Sequence, residues 1–158
     1  YQRGMDAAMR YLSYRPRSKT EVKDKLQHRA FAEETIDRIL ERLEELGLID
    51  DSSFARFWQE NRQTFSPRSQ WLVRTELQRK GVDRAIIEST APRVDDGDSA
   101  YRAASGRARR LKSLDYPNFR RRLGDFLKRR GFGYEVIQQT IHKIWQEHQG
   151  GSAQPPNQ

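Results

Sequence analysis

A chain of 158 residues, 35% of them hydrophobic, has enough apolar material for one ordinary domain or a row of small folded units, without promising one large core. It contains no Cys, which excludes a disulfide framework, a thiolate nucleophile and a thiolate metal site. Its formal charge of +8 is unevenly placed: residues 1–100 hold 18 Lys+Arg against 18 Asp+Glu, and residues 101–158 hold 12 against 4.

That asymmetry predicts an anionic partner for the C-terminal part, either a polyanion or an acidic protein surface. The plainer alternative is a basic face that only keeps a helix solvated. No stretch approaches the roughly twenty apolar residues of a membrane span. The chain opens Tyr1-Gln2-Arg3-Gly4 rather than with an apolar signal segment, so a soluble, cytoplasmic protein is expected. It starts without an initiator Met, and a segment ahead of Tyr1 is expected as well.

An internal repeat orders the predicted elements. Alignment on Leu26, Leu77 and Leu127 gives offsets of 51 and 50 residues. Four residues earlier stand Val22, Val73 and Leu123; five later, Phe31, Val82 and Phe132; ten later, Ile36, Ile87 and Ile137. Leu40 and Leu43, Ala91 and Val94, and Ile141 and Ile144 then continue one apolar stripe along the helix that follows.

In chain order, the first repeat (residues 1–49) is expected to hold helices near 5–14, 18–29 and 33–46, with Ser18-Lys19-Thr20-Glu21 as a capping box. Gly47 suits the end of its third helix, and Asp50 or Asp51 caps the next. The second repeat (50–94) is expected at 52–64, 67–80 and 84–91, its middle helix starting at Ser66-Pro67. The third (95–148) is expected at 97–112, 117–130 and 134–148.

Between the second and third helices of each repeat, Ala32, Asp83 and Gly133 fall at N-caps. Phe31, Val82 and Phe132 would then staple onto Ile36, Ile87 and Ile137. Asp83 is the best of these caps by residue type and Ala32 the poorest. Gly81 and Gly131 suit a left-handed residue closing the helix before; Ala30 replaces them in the first repeat, so a less well specified end is expected there. Asp95-Asp96-Gly97-Asp98 reads as a polar linker and pivot, and residues 149–158 as a disordered tail. The fold class is therefore all-α, an elongated, curved array of three tandem three-helix repeats, in which short helices need neighbouring repeats to cover their apolar stripes.

Catalytic patterns are missing from the sequence. His28, His142 and His148 form no H-E-x-x-H arrangement, and His142 and His148 are six residues apart, which does not place them on one helix face. Residues 95–99 lack the alternating ligands and terminal Glu of a calcium loop. No phosphate-binding glycine loop occurs, and Ser69 and Ser105 have no identifiable His and Asp partners. A non-enzymatic binding protein without cofactor or metal is expected.

The predicted contact residues are cations of the third repeat: Arg107, Arg109, Arg110 and Lys112 in one helix, then Arg120, Arg121, Arg122, Lys128, Arg129 and Arg130 in the next. Leu123, Phe126 and Leu127 take the buried side, so most of these cations must face solvent. There they would meet phosphate or carboxylate, and charge alone does not choose between the two. Trp71 aligns with the polar Thr20 and Arg121 and reads either as an exposed contact or as a cover for a junction. Trp145, and Phe54, Phe57 and Trp58, read as packing; Tyr11, Tyr14 and Arg15 read as sealing the first helix.

The sequence also resembles the RecX recombination regulators. Gly47-Leu48-Ile49-Asp50-Asp51-Ser52-Ser53-Phe54-Ala55 is similar to that family's G-x-[LI]-[DN]-D-x-x-[FY]-A junction. Leu12 to Ser18 with Glu21-Val22 is similar to its L-x-x-R-x-R-[ST]-x-x-E-[LV] segment, and Leu77 to Val82 to L-x-x-K-G-[IV]. Leu127, Arg130, Gly131 and Phe132 continue the pattern, and the likeness spans roughly residues 7–146. The resemblance implies a monomeric regulator that lies in the groove of the RecA–DNA filament and suppresses its ATPase, strand-exchange and coprotease activities. Contact with single- or double-stranded DNA is implied for some members. An autonomous, sequence-independent DNA-binding protein is the alternative.

Overall fold

Each of the three aligned leucines closes a helix by the same hydrogen-bonding device. The carbonyls of Leu26, Leu77 and Leu127 accept the N–H of Phe31, Val82 and Phe132 at 3.2, 3.1 and 3.2 Å, and those of Gln27, Gln78 and Lys128 accept the N–H of residues 30, 81 and 131. This is the Schellman pairing. It needs a left-handed residue just past the helix and sets an apolar side chain beside the anchor leucine. Gly81 and Gly131 supply that conformation at φ +79° and +88°. Ala30 adopts it too, at φ +62°, so the helix end expected to be loose has the same geometry at a steric cost.

The computed structural model describes residues 1–149; the tail expected beyond residue 149 lies outside the described residues. The fold is all-α, with three-helix repeats formed by α1 (Gln2–Leu12), α2 (Lys19–His28) and α3 (Glu33–Glu45); α4 (Asp51–Phe65), α5 (Gln70–Arg79) and α6 (Arg84–Thr90); and α7 (Asp96–Ala108), α8 (Tyr116–Arg129) and α9 (Tyr134–His148). A 3₁₀ turn, Arg109–Leu111, extends α7. Among the described residues two compact units form, one of Tyr1–Glu60 with Arg74–Pro92, the other of Asn61–Val73 with residues 93–149.

In the first unit, Val22, Leu26, Ile36, Ile39, Leu40, Leu43 and Ile49 make a closed core with Ala7 and Ala8. The first helix brings small side chains so that it can come close: a Cβ on Gly4 would stand 2.5 Å from Ile39 Cδ1. In the second unit, Ala100, Ala103, Ala104 and Ala108 of α7 play the same part against Phe119, Leu123, Leu127, Phe132, Ile137, Ile141 and Ile144. Leu77, Val82 and Ile87 of the middle repeat are also buried, and Phe31 is half-buried against the first core.

Several expectations are corrected. α5 starts at Gln70, not Pro67: Ser69 accepts the Leu72 N–H at 3.1 Å, so Ser69 rather than Ser66 caps it. Ala91 and Val94 do not continue a helical stripe, because α6 stops at Thr90 and Ala91, which precedes Pro92, is extended at ψ 126°. Residues 96–98 are not a linker but the first turn of α7, and the Asp96 carboxylate accepts the Gln70 N–H at 3.0 Å. Asp83 sits at the N-cap of α6 as expected, but its side chain makes no cap hydrogen bond. Tyr14 seals nothing; it is 78% exposed. Among the described residues no helix is long and apolar enough to cross a membrane.

Candidate functional site

The basic surface of the second unit follows from how α7 and α8 spend their apolar residues. With Leu123, Leu127 and Phe119 turned inward, Arg121, Arg122, Lys128 and Arg129 are left exposed on α8. Burial of Ala104, Ala108 and Leu111 leaves Arg107, Arg109, Arg110 and Lys112 exposed on α7 and the turn after it. Eight of the ten predicted cations therefore face solvent.

The other two are partly committed to holding the fold. Arg120 is half-buried, and its Nε donates to Gln138 Oε1 at 3.2 Å, tying α8 to α9. The Arg130 guanidinium donates to Ser66 Oγ and stands 5.0 Å from the centre of the Phe126 ring. Arg107 approaches the same ring at 5.6 Å, so α7 and α8 bring these two cations to one aromatic side chain. Phe126 is accordingly half-buried rather than core. Trp71 is 65% exposed on the first turn of α5, two residues after the residue whose N–H donates to the Arg130 carbonyl.

That last contact is half of a pattern the sequence did not reveal. Ser69 N–H donates to the Arg130 carbonyl at 3.0 Å, and Ser18 Oγ donates to the Lys80 carbonyl at 2.7 Å. Each joins the start of the middle helix of one repeat to the end of the middle helix of the next. Glycine is required at the receiving end: a Cβ on Gly131 would stand 2.5 Å from Ser69 Oγ and 2.7 Å from Leu72 Cβ, and one on Gly81 would fall on the Thr20 side chain. The signal that would have found the join is Pro16-Arg17-Ser18 recurring as Pro67-Arg68-Ser69.

Glu21 organises the join in the first unit. Its carboxylate accepts from Arg15 at 2.6 Å and from the Ser18 N–H at 3.1 Å, and Lys80 reaches it at 3.4 Å. Burial pushes the carboxyl up, but the Arg15 hydrogen bond, the Ser18 N–H and the two cationic charges outweigh burial and hold its pKa below the usual glutamate value. Lys80 and Arg15 also flank the Trp58 ring, at 4.5 and 5.5 Å.

Acidic residues gather instead on the first unit, where Asp51 accepts the Lys19 N–H at 2.9 Å and Lys19 Nζ pairs with Glu44 at 2.6 Å. Burial, against the Lys19 contacts, keeps the Asp51 pKa raised. Among the described residues no group of three or more His, Cys, Asp or Glu side chains is placed to hold a metal ion.

Models of the first, second and third three-helix domains of RecX match residues 5–43, 50–90 and 95–141. The chain is 36% identical over 144 residues to the regulatory protein RecX of Chlorobium phaeobacteroides, covering 91% of this chain and 95% of that protein. It is 37% identical over 140 residues to the regulatory protein RecX of Mycobacterium sp. strain JLS, covering 84% and 76%. The crystal structure of RecX from Lactobacillus salivarius superposes with a TM-score of 0.68 at 27% identity, over 90% of this chain and 95% of that one. With all three domains matched in order on three helical repeats, the chain belongs to the RecX family.

Proposed function

We propose that this protein is a non-enzymatic regulator of the RecA recombinase, binding the RecA–DNA filament and suppressing its ATPase, strand-exchange and coprotease activities. The observation that carries this reading is the match to the family across all three repeats, which runs through nearly the whole described chain. The exposed cations Arg107, Arg109, Arg110, Lys112, Arg121, Arg122, Lys128 and Arg129 support an anionic partner for the second unit, an acidic recombinase surface or exposed DNA.

The mechanism is non-covalent. Repeats presented in series touch successive protomers, and each contact after the first forms at high effective concentration, so modest contacts add to useful avidity. A chain held this way in the filament groove excludes incoming duplex DNA or resists the protomer movements that accompany nucleotide turnover.

Titration of the protein into a recombinase–single-stranded DNA reaction should lower ATP turnover and strand exchange together, with the protein acting as a monomer. Turnover and exchange unchanged at saturating protein would refute the reading. Tight binding to naked DNA at matched salt, with no preference for the filament, would favour the autonomous DNA-binding alternative.

A further inference from the structure

Tyr14 and Phe65 are both 78% exposed. They stand 51 residues apart, the spacing of the first two repeats, and each opens the same local pattern of an aromatic, any residue, then Pro-Arg-Ser: Tyr14-Arg15-Pro16-Arg17-Ser18 and Phe65-Ser66-Pro67-Arg68-Ser69. In both, the closing serine is buried and makes the join to the next repeat. A lone exposed aromatic is ordinary on a protein surface. Two at one register, each four residues before a serine that is fixed, are not accounted for by packing, because neither ring is covered.

The third repeat shows what happens when the register is not kept. Pro117 holds the proline position, but Asp115 replaces the aromatic and caps α8 by accepting the Asn118 N–H at 3.1 Å, while the fully buried Phe119 replaces the serine. The aromatic is thus present in the two repeats whose serine makes a join and absent in the third, where Phe119 stands in place of that serine.

We infer that Tyr14 and Phe65 are equivalent contact knobs, each seated in the same apolar socket on a different protomer of the filament. This rests on the reading of the chain as a filament-binding regulator. A protein socket is favoured over a nucleic acid strand by where the neighbouring cations go. Arg15 is bonded to Glu21, Arg17 lies over the Tyr11 ring at 3.8 Å and near Glu21, and Arg130 is held by Ser66 and Phe126. Turned inward on these partners, the junction cations leave the ring as what the segment offers outward. Phosphate recognition would need the charge instead. A partner built of identical subunits is the kind that presents one socket repeatedly.

The test uses Tyr14→Ser, Phe65→Ser, the double variant and Tyr14→Phe, each measured by fluorescence anisotropy against filament assembled on single-stranded DNA and against the same DNA bare. Each serine variant should weaken filament binding about tenfold, and the double variant about a hundredfold, as for exposed aromatic anchors in protein sockets. Tyr14→Phe should bind as the unaltered protein does, melting temperatures should not move, and affinity for bare DNA should be unchanged. A double variant that binds filament as tightly as the unaltered protein overturns the inference while leaving the regulatory reading intact. Equal losses on bare DNA overturn it in favour of rings stacked on bases. Failure of the unaltered protein to bind filament removes the reading beneath it.

Discussion

Glu21 shows how one residue can serve several elements. Its carboxylate closes the capping box of α2, neutralises Arg15, and receives Lys80 from the end of α5. A half-buried carboxylate with these partners stabilises the fold in its ionised form only. Since its folded pKa is depressed, that stability is complete above the ordinary glutamate range and is lost as pH falls through the lowered folded value. Glu21→Gln should therefore reduce stability near neutral pH by about 2 kcal/mol, and should flatten the acid limb of a stability-versus-pH curve measured by urea denaturation. An acid limb identical to that of the unaltered protein would show that Glu21 is not the group responsible. The sequence made the capping box readable because Ser18 and Glu21 are three residues apart. It left Lys80 unreadable as a partner because 59 residues separate it from Glu21.

At the scale of the helix, the repeated left-handed residues separate two demands that glycine meets at once. Ala30 has the same backbone conformation as Gly81 and Gly131, but it is exposed. Ala30→Gly should relieve left-handed strain and stabilise the protein by about 1 kcal/mol. Gly131→Ala adds that strain and also drives a methyl into Ser69 and Leu72, so it should cost about 3 kcal/mol. Chemical denaturation should show a Gly131→Ala loss well beyond the Ala30→Gly gain if Ser69 and Leu72 pack on residue 131; a loss no larger than that gain would mean that backbone strain alone is felt there.

The helices and their N-caps at Ala32, Asp83 and Gly133 were legible because the leucine anchor, the stapled apolar residue and the buried isoleucine keep fixed offsets. The contributions of α1 and α7 were not. Their buried faces are Gly4, Ala7 and Ala8, and Ala100, Ala103, Ala104 and Ala108, whose small side chains carry little hydrophobic signal and matter through close approach. Ser66-Pro67 misled for a related reason: the serine that caps α5 comes three residues later, and its use is set by the contact it makes with Arg130.

Across the molecule, the ten cations expected to make contacts resolve into eight exposed ones and two that also hold the fold. The sequence shows how many there are and on which helices, but Arg130 finds Ser66 across 64 residues, which no local pattern reports. Replacing Arg121, Arg122, Lys128 and Arg129 with Gln should leave thermal unfolding within about 1 kcal/mol of the unaltered protein. It should weaken filament binding and lower its salt dependence by up to about four counterions if DNA phosphates are the partner. An unchanged affinity and salt slope would remove these residues from the contact surface. Replacing Arg120 and Arg130 as well would mix lost contact with lost packing, so the four exposed cations make the cleaner variant.

The acceptors at the joins between repeats are the main-chain carbonyls of Lys80 and Arg130, which every amino acid carries. Of the two donors only the Ser18 hydroxyl is a side-chain group, the Ser69 N–H being main chain as well. What the joins ask of the sequence is that hydroxyl and the absence of a side chain at residues 81 and 131. Substitution at Lys80 or Arg130 therefore leaves each acceptor in place, and the repeats can stay joined while the side chains at those two positions change.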